Sequence, residues 1–92
     1  MTPEIQTVGI IGAGQMGTGI AQVCALAGID VHLNDVSDEK IKAGFDNIDL
    51  HLARDVSRGT ITEGDRRAAL QRIRPAPSFD DFADCDLVIE AA

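Results

Sequence analysis

The chain has 92 residues and a mass of 9.7 kDa, which suffices for one compact domain and excludes a large two-domain enzyme. Hydrophobic residues make up 45% and charged residues 25%, a composition typical of globular domains rather than disordered or collagen-like chains. Fifteen acidic against eight basic residues, with no Trp, no Tyr and three Phe, disfavour a nucleic-acid partner, because both a basic surface and aromatic platforms for stacking bases are lacking.

The first predicted elements form a β-α-β unit. Thr7–Ile11 is a β-branched run cut off by glycines, which is typical of a buried strand. Between Gln15 and Ala27 apolar residues recur at helical spacing, and Gly28 ends the helix. The side of this helix that we expect to face the core consists of Met16, Ile20, Val23, Cys24 and Ala27. A second strand containing Val31 and Leu33 then pairs in parallel with the first.

Two helices are predicted next, as a hairpin over about residues 38–73. Ser37 caps the first helix, and Arg58-Gly59 ends it. Thr62 and Asp65 resemble a capping box that opens the second helix.

Pro75 and Pro77 limit a third strand to a short edge piece, and one turn of helix follows with Phe79 and Phe82 facing inward. Leu87–Ile89 predicts a buried strand beside the first one. The fold class is therefore α/β, a Rossmann-like parallel sheet of about four strands with a helical hairpin inserted after strand two, and residues 1–92 are the N-terminal part of such a domain.

The turn after the first strand reads Gly12-Ala13-Gly14-Gln15-Met16-Gly17, which is a GxGxxG motif between a strand and a helix. Gly12 permits the tight turn, Gly14 leaves room for a pyrophosphate, and Gly17 lets the helix pack close to the strand. Backbone amides at the helix start then bind the phosphates. All six residues are candidates for dinucleotide binding, and a purely structural turn is the alternative.

Asp35 ends the second strand, 21 residues after Gly14, near the spacing at which an acid accepts the ribose hydroxyls of the adenosine half. A carboxylate there repels a 2′-phosphate, and residues 34–39 contain neither Lys nor Arg. We therefore expect NAD rather than NADP as the cofactor. The alternative is a solvated Asp at an ordinary strand-to-helix turn.

All eight Lys and Arg residues lie between positions 40 and 74. On the first hairpin helix, the side away from the predicted core carries Lys40, Asn47, His51, Arg54 and Arg58, which we call the polar stripe. It is either a solvated face, as any amphipathic helix has, or a phosphate-binding surface for a ligand such as CoA.

Three stretches, Val8–Gln22, Asn34–Ser37 and Asp84–Ala92, resemble the N-terminal domain of the 3-hydroxyacyl-CoA dehydrogenases, with the bacterial 3-hydroxybutyryl-CoA dehydrogenases most similar. The hairpin with its Arg58-Gly59 junction is similar as well, so the resemblance spans nearly the whole chain. It implies NAD-dependent oxidation of a 3-hydroxyacyl-CoA to the 3-oxoacyl-CoA, in fatty-acid or butyrate metabolism.

The resemblance also implies residue roles. The loop after the fourth strand touches the cofactor in that family, which transfers to Ala91 and Ala92. Basic side chains of the hairpin contact the CoA moiety, and Arg54 and Arg58 match best, although Thr60 stands where relatives often have Lys.

The family's catalytic His, Glu, Ser and Asn, and its C-terminal dimerisation domain, are expected beyond Ala92. We therefore assign no catalytic residue, expect the chain to be inactive alone, and expect the full-length protein to be a homodimer. His32 and His51 are interpreted as structural or solvated. The alternatives are a stand-alone, non-enzymatic dinucleotide-binding or redox-sensing module, and a 3-hydroxyisobutyrate-type or flavin enzyme, which the hairpin disfavours.

Cys24 and Cys85 are 61 positions apart and lack metal-ligand spacing, so we predict two buried thiols with neither a metal site nor a disulfide. No apolar run reaches the roughly 18 residues of a membrane span, and no basic targeting segment precedes the first strand. We therefore expect no membrane partner and a cytoplasmic location.

Overall fold

A computed structural model of the protein describes residues 5–92. Its elements in chain order are β1 (Thr7–Ile11), α1 (Gln15–Leu26), β2 (Asp30–Asn34), α2 (Asp38–Ser57), α3 (Glu63–Arg72), β3 (Ile73–Pro75), a short 3₁₀ helix (Phe79–Phe82) and β4 (Leu87–Glu90). The predicted strands, helices and hairpin are confirmed, with helix and strand ends that differ from the predicted ones by one or two residues.

The four strands form one parallel sheet in the order β3-β2-β1-β4. Val8 of β1 is paired with Val31 of β2 on one side and with Leu87 of β4 on the other. The chain therefore builds outward from β1 to β3 and then returns across the sheet to the far side of β1. Such a reversal opens a crevice at the carboxyl ends of the strands, where Rossmann-like sheets bind their ligands.

The core lies between one face of this sheet and the three helices. Val8, Ile10, Val31 and Leu33 point into it from β1 and β2, and each is at most 2% exposed. From the other side α2 contributes Ile48 and Leu52, both completely buried. Burying one such side chain contributes about 1.5–3 kcal/mol, so this layer fixes the position of the strand ends.

Helix α1 turns a side to the core that agrees only in part with the predicted one: Ile20 and Cys24 pack partly buried against the core as expected, whereas Met16, Val23 and Ala27 are exposed. Its buried residues are Gly17, Thr18, Ala21 and Ala25. Met16 and Val23, which we expected inside, are 61% and 69% exposed. The prediction was wrong for Met16 and Val23 because it followed the large apolar side chains, whereas small residues bring α1 close to the sheet. A Cβ atom at Gly17 would lie only 1.7 Å from the carbonyl oxygen of Gly12.

The predicted caps of the hairpin are confirmed. The Ser37 hydroxyl accepts a hydrogen bond from the Lys40 amide at 3.2 Å, and Thr62 and Asp65 form a reciprocal capping box at the start of α3. Between the two helices, the Arg66 guanidinium of α3 donates to the carboxylate of Asp49 in α2. The caps thus fix where each helix begins, and the Arg66–Asp49 pair joins α3 to α2.

Three further burial expectations need correction. Phe82 packs against β1, where a Cβ at Gly9 would lie 2.9 Å from its ring, but Phe79 is 67% exposed. Leu87 and Val88 of β4 are 43% and 44% exposed, because β4 is an edge strand among the described residues. The two free thiols, Cys24 and Cys85, are half-buried rather than buried, and partial burial raises the pKa of each.

Candidate functional site

The glycine-rich turn lies at the carboxyl end of β1, in the crevice created by the reversal of strand order. The Gly12 backbone has a φ of +111°, in the region that side chains disfavour, and its amide donates to the Asn34 carbonyl at 2.8 Å. A Cβ at Gly12 would come within 2.9 Å of the Ala92 amide nitrogen. Gly12 therefore allows the turn to touch both β2 and the segment that follows β4.

Asp35 is bound to the same turn. Its Oδ2 accepts a hydrogen bond from the Ala13 amide at 2.7 Å, and its Oδ1 accepts one from the Val36 amide at 2.6 Å. These two bonds, the Ala13 bond foremost, hold the pKa of the Asp35 carboxyl below its ordinary value. The group is thus an anion at neutral pH, and each oxygen keeps a further lone pair with which to accept a hydroxyl group of a ligand.

The start of α1 differs from the starts of the other helices. Ser37, Thr62 and Ser78 cap α2, α3 and the 3₁₀ helix with their hydroxyl groups, whereas Gly14 caps α1 without any side-chain hydrogen bond. The first amides of an α-helix have no partner within the helix, and here they belong to Gln15, Met16 and Gly17. A Cβ at Gly14 would meet nothing within 4 Å. The α1 start therefore offers uncapped donors beside open space, which suits a phosphate group.

A cavity of about 300 Å³ lies next to the turn and to Asp35. Its lining comprises Ile11, Gly12, Asn34, Asp35, Val36, Pro77, Phe79 and Ala92. Val36 is 85% exposed, and with Phe79 it presents an apolar wall beside the carboxylate. Ala91 is buried, and its amide donates to the Ile11 carbonyl at 2.8 Å, which places Ala92 at the cavity.

Five residues of this lining were not predicted from the sequence: Ile11, Asn34, Val36, Pro77 and Phe79. Asn34 is buried and its side-chain amide donates to the Ala76 carbonyl at 2.7 Å, so it ties the end of β2 to the loop after β3. The available sequence signal for Val36 was an apolar residue next to Asp35, just after the end of β2. Phe79 is brought to the cavity by the crossover to β4, and local spacing carries no such information.

Arg54 and Arg58 lie away from this site, at the carboxyl end of α2. Both are exposed, as are Lys40, Asn47 and His51, so the polar stripe faces solvent as predicted. Among residues 5–92 neither arginine forms a salt bridge, in contrast to Arg66 and Arg67, which pair with carboxylates of the hairpin.

The two histidines lie on different elements, His32 on β2 and His51 on α2. The Nδ1 atom of His32 lies 2.9 Å from the Asp81 carbonyl oxygen, where it fastens the 3₁₀ helix to the sheet, and His51 is an exposed member of the polar stripe. Within the described part of the chain, no three His, Cys, Asp or Glu residues are grouped as metal ligands are. The helices between residues 5 and 92 also fall short of the length and apolar character that crossing a membrane requires.

Comparison with known proteins places this geometry in a family. Residues 7–92 match the family described as 3-hydroxyacyl-CoA dehydrogenase, NAD binding domain. A 3-hydroxybutyryl-CoA dehydrogenase of Bradyrhizobium diazoefficiens is 56% identical over 92 residues, which are 100% of this chain and 31% of that protein. A 3-hydroxyadipyl-CoA dehydrogenase of Escherichia coli is 41% identical over 92 residues, which cover 100% of this chain and 19% of that protein.

A solved structure of a relative has the same fold. The crystal structure of (S)-3-hydroxybutyryl-CoA dehydrogenase from Ralstonia eutropha superimposes with a TM-score of 0.93 at 45% identity, over 96% of this chain and 31% of that one. The chain thus spans about a third of the length of such relatives. These matches confirm the resemblance found in the sequence, the Rossmann-like fold and the predicted NAD cofactor.

Proposed function

The chain belongs to the 3-hydroxyacyl-CoA dehydrogenase family through its NAD-binding domain, and on this basis we propose that it is the cofactor-binding part of an NAD-dependent 3-hydroxyacyl-CoA dehydrogenase. In such an enzyme a hydride passes between the substrate C3 and the nicotinamide, and the nicotinamide supplies that chemistry when NAD is bound. The observation that carries the proposal is the hydrogen bond between Asp35 and the Ala13 amide, which joins the acid and the glycine-rich turn in one site.

The proposed cofactor site divides into three parts. The uncapped start of α1, with Gly12 to Gly17, binds the pyrophosphate through backbone amides. Asp35 accepts the ribose hydroxyls of the adenosine half, and its fixed negative charge repels a 2′-phosphate. Ala91 and Ala92 line the cofactor from the side of β4. Two observations support this assignment. A Cβ at Gly14 would occupy open space, so the backbone there is accessible to a phosphate, and Gly12 is in contact range of Ala92.

The apolar wall of the cavity fits an adenine ring. Val36 and Phe79 lie on the lining beside Asp35, and both are strongly exposed for apolar residues. A flat heteroaromatic ring placed there covers this surface while its ribose reaches the carboxylate. The same surface is poorly suited to a charged group.

We propose that this chain holds the cofactor without supplying the proton-transfer groups of the reaction. General acid–base catalysis needs a group within hydrogen-bond reach of the substrate proton, and the His32 ring is engaged with a backbone carbonyl on the sheet while His51 faces solvent on α2. Family membership favours a cofactor-binding part of an enzyme over the alternative of a stand-alone sensing module.

The polar stripe is the proposed contact for the CoA moiety of the substrate. Arg54 and Arg58 are exposed, lack a salt bridge among the described residues, and lie on one side of α2. A guanidinium group without a carboxylate partner is available for a phosphate, which it binds with two parallel hydrogen bonds.

The proposal extends to the other partners and the location, for which the family and the charge give support. We propose that the full-length protein is a homodimer and works in the cytoplasm, where NAD and acyl-CoA substrates are found. The net charge of −7 disfavours binding to nucleic acid or to an anionic membrane surface.

The test is a titration of the chain with NADH and with NADPH, followed by nicotinamide fluorescence, for the unaltered protein and for Asp35→Ala. We expect NADH to bind more tightly than NADPH, and the substitution to weaken NADH by about 10-fold or more, since a hydrogen bond to a charged group contributes about 1.5–3 kcal/mol. Lys42→Ala, an exposed change on α2, is the matched control and should leave both affinities unchanged. Equal NADH affinity with and without the carboxylate would overturn the ribose assignment.

A further inference from the structure

Helix α2 and the glycine-rich turn approach each other at Gly44. This residue is buried in the interior of α2. A Cβ built on it would lie 2.8 Å from the Cβ of Ala13, 2.9 Å from the Ala13 carbonyl oxygen and 3.1 Å from Cγ2 of Thr18. Two of these distances are shorter than side chains tolerate, and the atoms involved belong to the turn backbone and to its first side-chain carbon. The missing Cβ therefore allows α2 to rest directly on the turn.

The turn is held on its other sides by rigid partners. The Ala13 amide is bound to the Asp35 carboxylate at 2.7 Å, and the Gly12 amide is bound to the Asn34 carbonyl at 2.8 Å. The Gly14 carbonyl accepts from both the amide and the hydroxyl of Thr18, each at 2.9 Å. Ala13 thus lies between the end of β2, the first turn of α1 and the middle of α2, with little freedom to move aside.

Glycine in a helix interior is unfavourable by about 1 kcal/mol relative to alanine. Gly64 of α3 is the contrasting case, since a Cβ there would make only an ordinary contact of 3.6 Å with the Thr62 hydroxyl. At Gly44 the absence of a side chain has a structural consequence, because it sets the distance between the hairpin and the phosphate-binding turn.

We propose that Gly44 is a positioning residue for the dinucleotide site: by letting α2 pack against Ala13, it fixes the glycine-rich turn in the conformation that binds the pyrophosphate. The inference rests on the proposed function, and it assigns to the hairpin a part in cofactor binding in addition to its proposed contact with CoA. In this proposal the residue acts through Ala13, with which it is in contact range, and not through a contact of its own with the cofactor or the substrate.

The experiment compares Gly44→Ala with its matched control Gly64→Ala in NADH titrations and thermal melts of the chain. Gly44→Ala displaces the turn by several tenths of an ångström, and we expect the NADH Kd to rise about tenfold, equivalent to about 1.4 kcal/mol. Gly64→Ala makes the same chemical change in a helix, and should leave the Kd unchanged while raising the melting temperature.

A double-mutant cycle separates positioning from a general loss of stability. Ala13→Gly removes the carbon nearest to the new Cβ, so the Ala13→Gly/Gly44→Ala double variant should bind NADH about threefold more tightly than the product of the two single effects predicts. If Gly44→Ala alone does not fold, the double variant should recover part of the folding and the binding, because the 2.8 Å approach to the Ala13 Cβ is removed while the 2.9 Å approach to the Ala13 carbonyl oxygen remains. A Kd unaffected by Gly44→Ala, or single effects that multiply without coupling, would overturn the inference. Failure of the unaltered chain to bind NADH would instead refute the proposed function.

Discussion

Alanine should have different effects at two glycines of the GxGxxG motif: at Gly14 it should impair cofactor binding, and at Gly17 it should impair folding. At Gly14 a Cβ meets nothing within 4 Å, whereas at Gly17 it would lie 1.7 Å from the Gly12 carbonyl oxygen and 2.9 Å from the Gly12 carbonyl carbon. We therefore expect Gly14→Ala to fold normally and to bind the cofactor poorly, because its methyl group points into the space proposed for the pyrophosphate. Gly17→Ala should instead damage the fold.

The magnitudes follow from the local geometry. Gly14 has a φ of −80° and a ψ of −163°, which alanine adopts without strain. Replacing a favourable N-cap residue by Ala lowers the free energy of unfolding by about 0.5–1 kcal/mol. Ala also restricts the unfolded chain more than Gly does, which raises the free energy of unfolding by about 0.4–1 kcal/mol. The two effects nearly cancel, so stability should change by well under about 1 kcal/mol. The 1.7 Å approach at Gly17 cannot be relieved by a rotamer, and overpacking of this kind costs about 3 kcal/mol or more, which lowers the melting temperature by about 12 °C or more in a domain of this size.

The assay is a thermal melt of each variant, followed by an NADH titration at a temperature where the variant is folded. Gly14→Ala should melt within about 4 °C of the unaltered chain and lose about 10- to 100-fold in NADH affinity. Gly17→Ala should show a lower melting temperature before any cofactor is added. Full NADH affinity in Gly14→Ala would refute the placement of the pyrophosphate, and an unchanged melting temperature in Gly17→Ala would refute the close packing of α1 on the turn.

Two further predictions concern charged groups. The hydrogen bonds from Ala13 and Val36 lower the Asp35 pKa in the folded state, so this carboxylate stabilises the fold above its unfolded pKa of about 3.9 and loses that effect as the pH falls through the folded value. The gap in melting temperature between the unaltered chain and Asp35→Asn should hold from pH 7 to about pH 5 and shrink below about pH 4; a gap of equal size at pH 3 would contradict it. Replacing both Arg54 and Arg58 by Ala should raise the Kd for acetoacetyl-CoA in calorimetric titrations and leave NADH binding intact, with exposed Arg67→Ala as control. Equal losses for both ligands would indicate damage to the fold.

The sequence predicts those parts of the site whose residues lie close together along the chain or at a fixed spacing from one another. The Gly12-to-Gly17 motif directly follows a strand, and Asp35 lies at a fixed offset from it, so a reader of the sequence can place both at the carboxyl ends of adjacent strands. Helix caps at Ser37 and Thr62 are similarly local, and the structure has both.

The wrong predictions concern residues whose environment depends on contacts with distant parts of the chain. The buried side of α1 was predicted only in part, because Gly17 and its small neighbours, and not Met16 and Val23, pack against the sheet. Phe79 was expected inside, yet the crossover to β4 leaves it exposed at the rim of the cavity. Gly44 gave no signal at all, since a hydrophobic pattern treats glycine as neutral and only the approach of Ala13, 31 positions away, reveals its role.

The bonds of Asp35 connect stability with binding. Before any ligand arrives, the carboxylate already holds the Ala13 amide and the amide of its own neighbour, so the turn is ordered by groups that also belong to the proposed ribose site. Fixing the backbone of one residue costs about 1–2 kcal/mol in conformational entropy, and a turn fixed in advance avoids that cost on binding. A turn supported by Gly44 on one side and Asp35 on the other needs little rearrangement when the dinucleotide binds. A substitution at Gly44 should therefore act on affinity through the loss of this order, whereas one at Asp35 also removes the proposed hydrogen bonds to the ribose. In both cases the NADH dissociation rate should rise more than the association rate falls.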